Sequence, residues 1–238
     1  MSHSCEHEHH HGGHGHDGHD DHDHSHVAPI PTNESQSLRQ YVDVFKLTGL
    51  NIAQPNDKIQ KVFKDGDNKY QVSDYIESDA DAQFILNIPF TGNVKLYSII
   101  LRTNGEAANC PKTIKLFKNK TNLDFDNIND TKPTYKIEQP QVGHLGDENG
   151  DDVDESSFVE HYLPRNLFQS TTQLSLFVEN NWEDDEDELT KVYYMEIRGM
   201  FTSPLSKDPV ITLYESAANP ADHKNLLANE IGNQAGFD

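Results

Sequence analysis

The sequence predicts an all-β fold, two stacked antiparallel sheets arranged as a β-sandwich or jelly roll. Three observations lead there. Eight short segments rich in β-branched and aromatic residues recur along the 238-residue chain. Clusters of Gly, Pro, Asn or Asp separate most of them, as turns separate strands. No run of 12 residues keeps a helical period, so the strands have only one another to pack against.

The first element in order is not a strand. Residues 1–26, MSHSCEHEHHHGGHGHDGHDDHDHSH, hold 11 of the 14 histidines, six acids and no Lys or Arg. Beyond Met1 and Cys5 nothing there is apolar, so the segment cannot offset its own ordering entropy and is expected to be a disordered His-rich tail. Three readings compete for it. His7, His9, His10, His11, His14 and His16 are weak metal ligands at flexible spacing, suited to adventitious Zn, Ni or Cu. The second reading, which leads, is a plain solvated arm; the third is an expression tag. No other cofactor is expected. Residues 27–37, VAPIPTNESQS, read as linker, so 1–37 form tail and linker.

The patterned body starts at Leu38. LRQYVDVFKLTGL (38–50) fits a helix face through Leu38, Tyr41, Val42 and Phe45, and an extended segment through Val42 and Val44; the extended reading is adopted. The strands then follow as 83–89, 93–103, 112–119, 134–139, 157–164, 173–180, 191–201 and 209–216. Phe84, Leu86 and Ile88 share one face. Pro89 cannot donate to a ladder and is expected to end its strand, with Gly92 permitting a reversal into the next, a core hairpin or corner. YSIILR (97–102) is apolar on both sides and predicts a central strand. Ile114 and Leu116 point one way, with Lys115 and Lys118 toward water. Leu174, Leu176 and Val178 face away from Ser175. Only SAANPADHKNLLANE has helical composition, and Pro220 interrupts it.

Charge and composition exclude several classes. The net charge of −21 disfavours nucleic acid and anionic membrane and suits a basic protein partner. No run of 18 apolar residues exists, and the start lacks a signal-peptide layout, so a cytoplasmic protein, also nuclear, is expected. Cys5 and Cys110 form neither a disulfide framework nor a redox pair. The acidic stretches GDENGDDVDE (146–155) and EDDEDE (183–188) are cation-site candidates. The first fails as an EF-hand, because Leu145 and Ser156 fall where carboxylates belong. A looser calcium loop stays open, and a docking surface for a basic partner is preferred. Trp182 beside the second stretch is either an interface anchor or core. No catalytic motif is present, His144, His161 and His223 are scattered, and no enzyme is expected.

Three blocks carry a resemblance. IESDADAQFILNIPFTGNVKLYSIIL (76–101), KVYYMEIRGMF (191–201) and YESAANPADHK (214–224), together with the His-Gly-rich start, resemble the PITH-domain family in its short form without a thioredoxin domain. The resemblance covers roughly residues 38–224 and leaves 225–238 as a C-terminal tail. It implies a jelly-roll sandwich of the galactose-binding-like kind, a binding module rather than an enzyme, and a protein partner, the 26S proteasome in thioredoxin-linked relatives. Any redox delivery fails without the thioredoxin domain. The SDAD and NPAD blocks bring in Asp79, Asp81, Asn219 and Asp222, which with Trp182 are the candidate partner-binding residues. Asx side chains more often close turns, and that structural role competes.

Overall fold

The computed structural model describes residues 30–144 and 155–205. The His-rich tail, the acids 147–154, the expected strand 209–216, Asn219, Asp222 and the stretch 225–238 lie outside the described residues.

One strand organises the rest. β3 (Phe84–Asn104) runs 21 residues through both strands expected at 83–89 and 93–103. Its first half pairs antiparallel with β8 (Thr171–Asn181) and with β1 (Thr48–Leu50). Its second half pairs with β9 (Lys191–Pro204), β7 (Val159–Tyr162) and the short β6 (Gly143–His144). β4 (Pro111–Lys118) and β5 (Tyr135–Glu138) extend the β8 side, and β2 (Ile76–Glu77) closes the β9 side, giving the order β2-β9-β3-β8-β4-β5. Phe84, Leu86 and Ile88 from one half of β3, and Val94, Leu96, Ile99 and Leu101 from the other, meet in one core with Ile114, Leu116, Leu174, Leu176, Val178, Met195 and Ile197. The two hydrogen-bonded arrays therefore face each other across a shared interior: the chain is an all-β sandwich, as the strand pattern predicts.

The expected strand end at Pro89 and reversal at Gly92 are corrected to a bend within one strand. Register shifts against β8 between Pro89 and Val94, and against β9 between Asn93 and Val94, turn the corner. Pro89 donates nothing, but its carbonyl accepts from the Asp43 N–H at 2.8 Å. Gly92 is required by a close approach: a Cβ there would sit 2.3 Å from the Ser203 carbonyl oxygen and 2.4 Å from the Phe201 ring.

The 38–50 segment is extended only in part. It makes a 3-10 turn at Arg39–Tyr41, a single bridge from Val42 to Phe90, and then β1. A four-residue helix, α1 (Asn56–Ile59), inserts Ile59 into the core. Lys115 and Lys118, expected toward water, are both held. Lys115 lies 2.7 Å from Glu179, and Lys118 donates to the Leu167 and Gln169 carbonyls at 3.1 and 2.7 Å.

Both outer faces of the sandwich are partly covered by irregular chain. Ile85, Phe117 and Phe177 on one side pack under Leu123 and Ile128. On the other side, the face bearing Ser98, Ile100 and Arg102 lies beneath residues 30–37 and 63–71. The bonds Thr32 to Glu160, Ser37 to Arg198 and Arg102 to the Lys69 and Tyr70 carbonyls fix that cover.

Candidate functional site

Two places bring functional groups together. The first is a cleft of about 550 Å³ between the covering segments and the outer face of the β3–β9–β7 array. Its floor is set by strand register: Ile100 stands opposite Glu196 on β9 and Glu160 on β7. Most of its charges are already paired. Arg39 lies 3.1 Å from Asp65, Lys69 lies 3.0 Å from Glu155, and Arg198 lies 3.1 Å from Glu196. Glu160 accepts from Thr32, from Ser98 at 2.6 Å and from Tyr162 at 3.0 Å. Burial alone would raise the Glu160 pKa; these hydrogen bonds and the Arg198 charge outweigh it and hold the carboxyl below its usual value.

Two cations at this cleft lack such partners. Lys64 is 8% exposed, and its ammonium donates to the Gln71 carbonyl at 2.5 Å. Burial, and then the neighbouring Arg102 charge, push its pKa down to about 8, against a smaller opposing pull from Asp74. Arg102 is 0% exposed. Its Nη1 donates to the carbonyls of Lys69 and Tyr70 at 3.2 and 3.0 Å, and its guanidinium lies 5.6 Å from the Phe158 ring centre and 5.7 Å from that of Tyr193. Its Nε and Nη2 have no hydrogen-bond partner.

The second place is the acidic loop between β8 and β9. Glu183 through Glu188 are all exposed, yet the loop is firmly held. The fully buried Asn181 side chain donates to the Asp185 carbonyl at 2.6 Å and accepts from the Asp185 N–H at 3.0 Å. Asp184, at φ 54°, accepts from Asn180 and pairs with Lys112. The 78–83 loop lies alongside: Ala82 N–H donates to the Glu186 carbonyl, and Thr190 bonds to both Ser78 and Ala82. The described residues carry 24 acids against 17 Lys and Arg, so six consecutive carboxylates in this loop make up nearly all of the excess.

The structure thus brings together the loops of Asp79, Asp81 and Trp182. Asp81 closes its own turn, accepting from Gln83 N–H and from Asn51 at 2.8 Å each. Trp182 is half-buried, its indole N–H committed to the Gln139 carbonyl at 2.9 Å and its ring 5.3 Å from the Lys112 ammonium. A more available aromatic is Phe45, 97% exposed at a loop tip. His161 accompanies a buried network rather than a reactive site: its Nε2 lies 2.6 Å from Gln139 Oε1, and Gln139 reaches Thr103, beside the buried Cys110 thiol. Burial raises the pKa of that thiol. Among the described residues, His, Cys, Asp and Glu do not gather in a metal-binding group.

Sequence reasoning missed Lys64, Arg102 and Phe45. Arg102 carried a faint signal: a cation inside an otherwise apolar central strand.

Comparison with known proteins covers the same body. The family model described as PITH domain matches residues 28–218. A PITH domain-containing protein of Schizosaccharomyces pombe is 32% identical over 204 residues, which is 85% of this chain and 91% of that one. PITH domain-containing protein 1 of Danio rerio is 34% identical, spanning 82% of this chain and 85% of that one. The human PITH domain-containing protein 1 is 32% identical over 68% and 69%. Among solved structures, the CBM32-1, CBM32-2 and M60 catalytic domains of Clostridium perfringens ZmpB are 10% identical. The overlap covers 68% of this chain and 14% of that one at a TM-score of 0.42, a likeness too small to inform ligand binding.

Proposed function

The chain belongs to the PITH-domain family, and from that premise we propose that it is a non-enzymatic protein-interaction module that docks on the 26S proteasome. It works without a resident cofactor, in the cytoplasm and nucleus. The observation that supports this reading is the concentration of charge on one pinned loop. Among the described residues, a near-neutral sandwich displays six adjacent carboxylates on this loop, a strongly anionic feature that favours oriented encounter with a basic surface over general stickiness. Because the loop's fixed geometry comes from Asn180, Asn181 and the β8 end, little ordering entropy is lost when a partner engages it. Asp79 and Trp182 flank the same end and are assigned to the rim of the contact.

The test is capture of proteasome subunits from native lysate on the immobilised full chain at rising salt. Glu183→Gln/Asp187→Asn/Glu188→Gln removes charge while sparing Asp184 and Asp185, whose side chains hold the loop. Recovery at low salt that fades toward about 0.5 M, and that the triple variant abolishes, supports the reading. Absence of proteasome subunits at low salt, or undiminished capture by the variant, refutes it.

A further inference from the structure

We propose that the inner end of the cleft is a binding site for a small tetrahedral oxyanion, phosphate or sulfate, held between Lys64 and Arg102. This goes beyond the docking reading and does not rest on it. Fully buried cations are rare unless a carboxylate pairs with them, because desolvating the charge is costly. Among the described residues neither Lys64 nor Arg102 forms an ion pair, whereas Arg39, Lys61, Lys69 and Arg198 around them all do. Asp74, the one acid whose field reaches Lys64, is itself paired with Lys61 at 2.8 Å.

The two cations are near enough for the Arg102 charge to act on Lys64. Lys64 lines the cleft directly. Arg102 is two residues along β3 from Ile100, which also lines it, so both side chains leave the same face of the strand. The Arg102 guanidinium is anchored to the carbonyls of Lys69 and Tyr70 and lies near the Phe158 face; all three residues are cleft wall. One Arg102 nitrogen is therefore spent on positioning the fork. The other two donors, Nε and Nη2, are buried and unused, and that pair is the edge with which an arginine grips two oxygens of an oxyanion. Lys64, an ammonium with three donors of which the Gln71 carbonyl takes one, supplies a third. An anion there would neutralise two charges that now repel each other and would satisfy both orphaned donors. Of the carboxylates lining the cleft, Glu155, Asp65 and Glu196 are bound to their own cations and Glu160 accepts from hydroxyls, while the remaining two, Glu34 and Asp67, are exposed to water, which screens their charge.

The experiment uses the full chain at pH 7.5 and constant ionic strength set with chloride. Inorganic phosphate, inorganic sulfate and O-phosphoserine are titrated to about 10 mM, below the range where general salt exclusion stabilises proteins. A millimolar site raises Tm by about 3 °C at the top of the titration. Calorimetry supplies the dissociation constant. Lys64→Gln is expected to weaken binding at least about tenfold, and Arg102→Lys, if it folds, to remove it. Tighter binding of O-phosphoserine than of inorganic phosphate assigns the site to a phosphorylated group; equal or weaker binding assigns it to the free anion. No Tm response beyond chloride in the wild-type chain, or a response that Lys64→Gln leaves intact, overturns the proposal.

Discussion

Acidification should destabilise this protein through His161. The imidazole sits on β7 with Nε2 2.6 Å from the Gln139 side-chain oxygen, and burial pushes its pKa down to about 4. In the unfolded chain the same group titrates near ~6.5. Between those values the unfolded state binds more protons than the folded one, so stability is intact above pH 6.5 and falls as pH drops toward 4. At pH 5 the linkage amounts to about 2 kcal/mol, a sizeable part of the total for a domain of this kind. The assay is urea unfolding at pH 7 and pH 5, followed by fluorescence of the single tryptophan. Trp182 is a suitable reporter, because its indole N–H bonds to the backbone of the residue that holds His161. His161→Gln keeps a donor of similar reach and removes the titration. Carboxylates such as Glu160 contribute equally in both proteins and cancel. The wild-type chain should lose about 2 kcal/mol more than His161→Gln between the two pH values. Parallel losses would show that burial does not hold the ring neutral, and the reasoning would fail.

Three other outcomes follow from the same structure. Gly92→Ala forces a methyl group against the Ser203 carbonyl at the β3 corner, and a loss of about 2–4 kcal/mol is expected in urea unfolding at unchanged m-value. Lys64→Met should stabilise the fold by about 1–3 kcal/mol at pH 7, because it removes a desolvated charge. The folded pKa of about 8 lies below the unfolded value of 10.5, so wild-type stability rises between them and the gain from Lys64→Met should shrink by pH 9.5; a constant difference would contradict the charge argument. Cys110, fully buried with its thiol pKa raised by burial, should resist iodoacetamide in a Cys5→Ser background until the protein unfolds, read by mass spectrometry; labelling at the rate of a free thiol would show the site to be open.

The inner faces of the strands were legible because they alternate. Leu174, Leu176 and Val178, or Ile114 and Leu116, announce a buried side in any sequence reading, and the structure packs them together. The outer faces were not. Phe117 and Phe177 occupy the positions that alternation assigns to water, and they are buried only because residues 119–133 fold back over them. Pro89 was misleading for a related reason. A proline ends a strand when its neighbour needs its N–H, but here the corner asks only for its carbonyl. Asp81 could be read from its spacing, since an Asx side chain bonding two residues ahead is a local rule. Lys64 and Arg102 could not, because what buries them lies about 30 residues away in the chain, and no local pattern records that cover.

The division between inner and outer faces also explains where function can sit. The interior is apolar and continuous across both arrays, so it supplies most of the stability and leaves little scope for chemistry. The outer face under residues 30–37 and 63–71 instead collects buried polar groups: Ser98 and Arg102 are covered there. Such groups add less stability than apolar ones of equal volume would, and Lys64 and Arg102 subtract from it. Two buried cations without a carboxylate partner, and two donors unused, persist at a cost to the fold. In the proposed site a bound anion offsets part of that cost.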